Sequence, residues 1–142
     1  MDEILEFNYT LSGSNFASAG DATMQIKTEL RALGFSSAFV RRISVAMYEG
    51  EINRVIHAGG GQARVLVSPE QVEIYLEDHG PGIPDIDLAM TEGYSTAPES
   101  IRAVGFGAGM GLPNMKRNAD EIRINSKVGV GTTVYMKLNA NQ

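Results

Sequence analysis

Apolar and polar positions alternate over residues 4–11, Leu5, Phe7 and Tyr9 against Ile4, Glu6 and Asn8, the period of two expected of a strand near a sheet edge. Ser12-Gly13-Ser14-Asn15 breaks the pattern. From about residue 17 to 33 the period lengthens: Met24, Ile26, Leu30 and Leu33 recur at helical spacing, and Gly34 stands where a left-handed C-terminal cap belongs. A second helix is expected from Ser36 or Ser37, either of which can cap it, to Ala58. Val40, Ile43, Met47, Ile52, Val55 and Ile56 form its apolar positions, and Gly59-Gly60-Gly61 stops it. Residues 63–67 and 72–77 are β-rich and joined by Ser68-Pro69-Glu70, which predicts a hairpin with Asp78 at the end of its second strand.

Residues 80–104 are rich in Gly, Pro, Ser and Thr and carry little periodicity beyond one helical turn expected around 86–90. A stretch this long inside a compact domain usually serves as a lid or binding loop. Residues 110–119 can form a helix with Pro113 in its first turn. Strands expected at 121–126 and 132–138 close the chain through the turn Lys127-Val128-Gly129-Val130-Gly131. Strand, two helices, hairpin, lid, helix and hairpin together predict an α+β sandwich with helices on one face of a mixed, mostly antiparallel sheet.

Composition narrows the function classes. A chain of 142 residues that is 43% hydrophobic fits a single domain, 1–142, with a sizeable core. No apolar run approaches the roughly 20 residues of a membrane span, and Met1-Asp2-Glu3 lacks the layout of a signal peptide. The expected location is cytoplasmic, with no membrane partner. Zero cysteines exclude disulfides, cysteine zinc sites and a thiol nucleophile. A net charge of −5 argues against a general nucleic-acid binder, and Arg41-Arg42 and Lys116-Arg117 are too local to change that.

Four motifs carry candidate chemistry. On the second helix Glu49 and Asn53 are one turn apart and share a face. Asn53 offers a hard amide oxygen suited to Mg²⁺, and Glu49 could deprotonate a hydroxyl or water; an exposed polar face is the plainer alternative. In Asp78-His79-Gly80-Pro81-Gly82 a strand-end carboxylate can accept a hydrogen bond from an exocyclic amine such as that of adenine, or simply cap a turn. Gly105, Gly107, Gly109 and Gly111 leave backbone amides open to a phosphate and run into a helix N-terminus. Finally, the closing turn sets Thr132 or Thr133 where a hydroxyl could reach a base.

Glu49-x-x-x-Asn53, Asp78-x-Gly80-x-Gly82, the glycine run 105–111 and Gly131-Thr132 resemble, in order and spacing, the N, G1, G2 and G3 boxes of the GHKL ATP-binding superfamily of gyrase, Hsp90, histidine kinases and MutL. The resemblance spans about residues 40–135. It implies a Bergerat-type two-layer sandwich with ATP under a lid at about 83–108, Asp78, Gly80, Gly82 and Thr132 around adenine, and Asn53 holding Mg²⁺. Gly105, Gly107, Gly109, Met110, Gly111 and Leu112 would line the phosphates. The compact length, and the segments 53–57 and 109–117, resemble the stand-alone serine/threonine kinases of the anti-sigma-factor and stressosome switch type. That branch implies Glu49 as catalytic base and a serine or threonine on a STAS-domain partner as acceptor. A sigma factor and a homodimer are further partner expectations. Arg102 is the candidate cation for the transferred phosphate, although residues 97–104 look like an addition to the family lid. The competing function is a nucleotide-gated module that sequesters a sigma factor or other regulator without efficient phosphotransfer.

The remaining polar residues have ordinary roles at first sight. His57 is expected in a structural bond at the helix end, His79 in an exposed turn, and the two offer no zinc spacing. The methionines fill the core or touch the lid. Glu51, two positions from both Glu49 and Asn53, is expected to face solvent.

Overall fold

Each stretch of period-two alternation becomes a strand: β1 (Leu5–Ser12), β2 (Gly60–Val67), β3 (Gln71–Asp78), β4 (Glu121–Lys127) and β5 (Gly131–Asn139). The 3.6-residue stretches become α1 (Asp21–Ala32), α2 (Ser37–Ala58) and α3 (Gly111–Asn118). The computed structural model describes residues 4–12, 20–58, 60–80 and 111–140. The expected lid and the helical turn at 86–90 lie outside them. No helix among the described residues is long and apolar enough to cross a membrane.

The strands form one five-stranded sheet in the order β1-β2-β3-β5-β4, with β1 at an edge as its pattern predicted. All four pairings are antiparallel, so the parallel share that a mixed sheet would contain is absent among the described strands. Alternation sorts the side chains. Val65 and Val67, Ile74 and Leu76, and Val134, Met136 and Leu138 are buried on one face and pack with Ile26, Leu30, Val40, Ile43, Met47 and Met115 of the helices. The bare face carries a row that follows the register Arg64, Tyr75, Tyr135, Arg123. The Arg64 guanidinium lies 4.6 Å from the Tyr75 ring centre, the two tyrosine rings are 4.9 Å apart, and Arg123 is 5.0 Å from Tyr135. Tyr135 donates its hydroxyl to Glu73 Oε2 at 2.5 Å.

Local signals set the helix ends. Ser36 Oγ accepts the Phe39 N–H at 3.2 Å and starts α2, and Gly34 adopts φ +90° after α1. The apolar stripe of α1 differs from the expected one. Ala22, Ile26 and Leu30 face the core, whereas Met24 is 62% and Leu33 46% exposed. Four-residue steps from Ala22 keep one face, and Met24 sits two positions off it.

Glu51 overturns its expectation. The side of α2 opposite Glu49 faces α1 rather than water, and Glu51 is only 2% exposed. Its Oε2 accepts the N–H groups of Gly20 at 2.9 Å and Ala22 at 3.2 Å, while Oε1 accepts the Thr23 N–H at 3.0 Å and hydroxyl at 2.8 Å. The residue before α1 is Gly20, which has no side chain to cap with, so α1 takes its cap from α2. The negative charge also meets the positive end of the α1 dipole. A second clasp joins α2 to the end of α3. Arg42 Nη2 donates to the Asn118 carbonyl at 2.9 Å and to Asp120 Oδ2 at 3.0 Å, and the Asn139 N–H donates to the same oxygen at 2.6 Å.

Two outcomes follow for stability. Glu51→Gln keeps the size but sets an amide against backbone donors, and should lower the unfolding free energy by about 2 kcal/mol in urea titration. Partial burial raises the Asp120 carboxyl, but the Asn139 N–H, the bond and charge of Arg42 and the charge of Lys137 outweigh it and hold the group below its ordinary 3.8. Its folded value being depressed, its contribution is present above that ordinary value and is lost as pH falls through the lower folded one. Wild type should therefore exceed Asp120→Asn by about 1 kcal/mol at neutral pH, with the gap closing in acid melts.

Candidate functional site

At one end of the covered face the apolar rows give way to polar ones. On β3 the inward series Val72, Ile74, Leu76 ends in Asp78; on β5 the series Leu138, Met136, Val134 ends in Thr132; on β4, Ile122 and Ile124 are followed by Ser126. Register places Asp78 opposite Thr132 and Thr132 opposite Ser126, so the three form one row across neighbouring strands.

The row is tightly held. Asp78 is 6% exposed, and its Oδ1 accepts the Gly80 N–H at 2.9 Å and the Thr132 N–H at 3.2 Å. Two backbone donors on one oxygen fix the carboxylate at the strand end. Thr132 is 4% exposed, with its hydroxyl 2.7 Å from Ser126 Oγ. Gly131 makes the close pairing feasible. Its φ is +145°, and a Cβ there would run into the Asp78 carbonyl, so a larger residue would prise β5 from the end of β3.

Helix α2 reaches this end of the sheet through Gly50. The residue is buried, and a Cβ on it would collide with Leu76 Cδ1 and press on Met115 Sδ, so its absence lets α2 sit close on β3 and α3. Leu76 and Asp78 share a face of β3, so the α2 turn from Glu49 to Asn53 lies beside the polar row. Glu49 is half-buried. Burial pushes its carboxyl above the ordinary range, and a hydrogen bond from the Asn114 side chain pulls it part of the way back. Asn114 belongs to α3, and its Oδ1 accepts from Arg117 Nη1 at 2.8 Å, which leaves its amide N–H groups as donors to Glu49. Asn53 is partly exposed one turn along from Glu49.

The structure thus brings Glu49, Asn53, Asp78 and Thr132 to one region. Gly80 follows Asp78 and supplies an N–H to it. Gly111 and Leu112 open α3, with Pro113 buried in the first turn as expected. Gly82, Arg102, Gly105, Gly107, Gly109 and Met110 lie outside the described residues, as does the side chain of His57. His79 is exposed in its turn. Asn114 and Ser126 join the site without having been singled out from sequence. Ser126 had a readable signal, a polar residue on the inward parity of an Ile-x-Ile strand. For Asn114 no spacing pointed across to α2.

Asn53 presents the neutral oxygen that a hard divalent cation accepts. Among the described residues no group of three or more His, Cys, Asp or Glu side chains could hold a metal ion. An ion here would draw its other ligands from phosphate and water, the usual habit of Mg²⁺.

Comparisons with known proteins identify relatives of the chain. Residues 52–142 match the family described as histidine kinase-, DNA gyrase B-, and HSP90-like ATPase. The chain is 37% identical over 108 residues to the serine/threonine-protein kinase RsbT of Bacillus subtilis, covering 73% of this chain and 75% of that one. It is 31% identical over 122 residues to an anti-sigma F factor of Geobacillus kaustophilus, covering 86% and 75%. Among solved structures it resembles the RsbU and RsbW domains of a Mycobacterium tuberculosis protein, with a TM-score of 0.59 at 17% identity. That likeness covers 94% of this chain but spans only 32% of the other, and it shows the fold alone.

Proposed function

As the chain belongs to the histidine kinase-, DNA gyrase B-, and HSP90-like ATPase family, we propose that it is an ATP-dependent serine/threonine protein kinase of the anti-sigma-factor kinase type. Its acceptor would be a serine or threonine on a STAS-domain-like regulatory partner. The observation that carries this reading is Glu49: a half-buried carboxylate with a raised proton affinity, held by Asn114 on the helix that continues the glycine run. A base in that place needs both a fixed direction and a pKa brought toward neutrality.

In this reading Asp78 accepts from the adenine amine, with Gly80, Gly82 and Thr132 around the ring. The amides of Gly105, Gly107, Gly109, Met110, Gly111 and Leu112 hold the β- and γ-phosphates. Mg²⁺ held by Asn53 would supply charge neutralisation at the phosphate oxygens. Glu49 takes the proton from the partner's hydroxyl as its oxygen bonds to the γ-phosphorus. The bond from that phosphorus to the bridging oxygen breaks, and ADP leaves. Arg102, from the lid at 83–108, is the proposed cation for the transferred group. The anti-sigma F factors among the relatives favour a second activity, capture of a sigma factor or similar regulator by the nucleotide-bound protein.

The test is incubation with γ-labelled ATP, Mg²⁺ and candidate STAS proteins, with the acceptor residue read by mass spectrometry. Glu49→Gln should lower phosphotransfer by about 10²- to 10⁴-fold while ATP affinity stays within about twofold. ATP-dependent capture that survives this change, with no phosphorylated product, would instead favour sequestration. Asp78→Asn should weaken ADP binding by more than about 1 kcal/mol through loss of a charge-assisted bond, measured by calorimetry. Unchanged affinity would reduce Asp78 to a turn residue.

A further inference from the structure

The polar row at the sheet end has a hydrogen-bond direction. Ser126 Oγ donates to the Gly131 carbonyl at 3.3 Å, and a carbonyl oxygen only accepts, so the single hydroxyl proton of Ser126 points there. Both contacts are hydrogen bonds together only when the 2.7 Å contact between Ser126 Oγ and Thr132 Oγ1 carries the proton of Thr132, the direction assigned here. That leaves Thr132 with lone pairs, and no hydroxyl proton, to offer on its remaining side. Its neighbour Asp78 is a carboxylate and also only accepts, while the Thr132 N–H is taken up by Asp78 Oδ1. Two acceptors therefore stand side by side on β3 and β5, and the residue that makes the second one an acceptor sits on β4.

We propose that Ser126 is a positioning residue for base selection: by drawing the Thr132 proton away, it makes this end of the sheet receptive to an exocyclic amine and hostile to a keto oxygen. The proposal rests on the nucleotide pocket proposed above. An amine has two N–H groups for the pair of acceptors. A keto oxygen in its place sets lone pairs against lone pairs, a mismatch that hydrogen-bonding sites reject strongly. Ser126 is assigned this effect through its bond to Thr132.

The experiment compares ADP with inosine diphosphate, which differs at the 6-position and the adjoining ring nitrogen, by titration calorimetry on the full chain. Wild type should prefer ADP. In Ser126→Ala the Thr132 hydroxyl can turn and donate, so the preference should shrink by about tenfold. Ser126→Thr, which keeps the hydroxyl, should hold the preference within about twofold. Adding Ser126→Ala to Thr132→Val should change nothing further, because residues acting through one another are not additive. A fold-wide effect of the substitution would not respect that pairing. Should Ser126→Ala fail to fold, Ser126→Cys tests the same bond with a near-isosteric, weakly bonding group. Ser126→Ala, or Ser126→Cys in its place, that binds ADP and keeps the wild-type preference overturns the proposal, and means that the proton runs from Ser126 to Thr132. Wild type that binds neither nucleotide overturns the pocket itself, an outcome distinct from a failure of Ser126, which leaves ADP binding intact.

Discussion

The seat of α2 on β3 is the constraint from which the site follows. At Gly50 the helix lies so near Leu76 that an added Cβ would collide with Leu76 Cδ1. Leu76 is itself fully buried, so making room means either turning its side chain into packed neighbours or lifting the helix. Lifting it would carry Glu49 and Asn53 away from the row formed by Asp78, Thr132 and Ser126. The glycine contributes nothing chemically. Its role is to set how far the helical chemistry stands from the sheet chemistry.

The sheet end shows how a fold makes a polar site without disturbing its core. Along β3, β4 and β5 the inward parity is unbroken, and only its last member changes from hydrocarbon to carboxylate or hydroxyl. Each of these groups meets a partner on the next strand, so polar atoms are buried with their bonds satisfied. Their directions are then fixed by the ladder, and direction is what recognition needs. The bare face follows the opposite logic: Arg64, Tyr75, Tyr135 and Arg123 cover one another across strands and stay in contact with water.

Much of this was legible in the chain. Period-two and period-3.6 stretches located the described strands and helices to within a few residues, because burial on one face dictates those periods. Glu49, Asn53, Asp78 and Thr132 were singled out by local spacing together with the family resemblance. What escaped depends on distant partners. Glu51 looked solvated because its own helix says nothing about what stands behind it, and α1 lies there. Asn114 was silent because its partner Glu49 is on another helix; Ser126 showed an inward polar parity, but its meaning arises from register with Thr132. Met24 misled because apolar character alone does not choose a face.

The cap on α1 ties the stability of one helix to the docking of another. Helix nucleation is unfavourable, and a short helix depends on its ends being satisfied. The carboxylate that satisfies this end arrives from residue 51, 31 positions beyond Gly20, on a helix anchored to the sheet. Its cap being supplied from so far along the chain, α1 has its full stability only with α2 docked beside it.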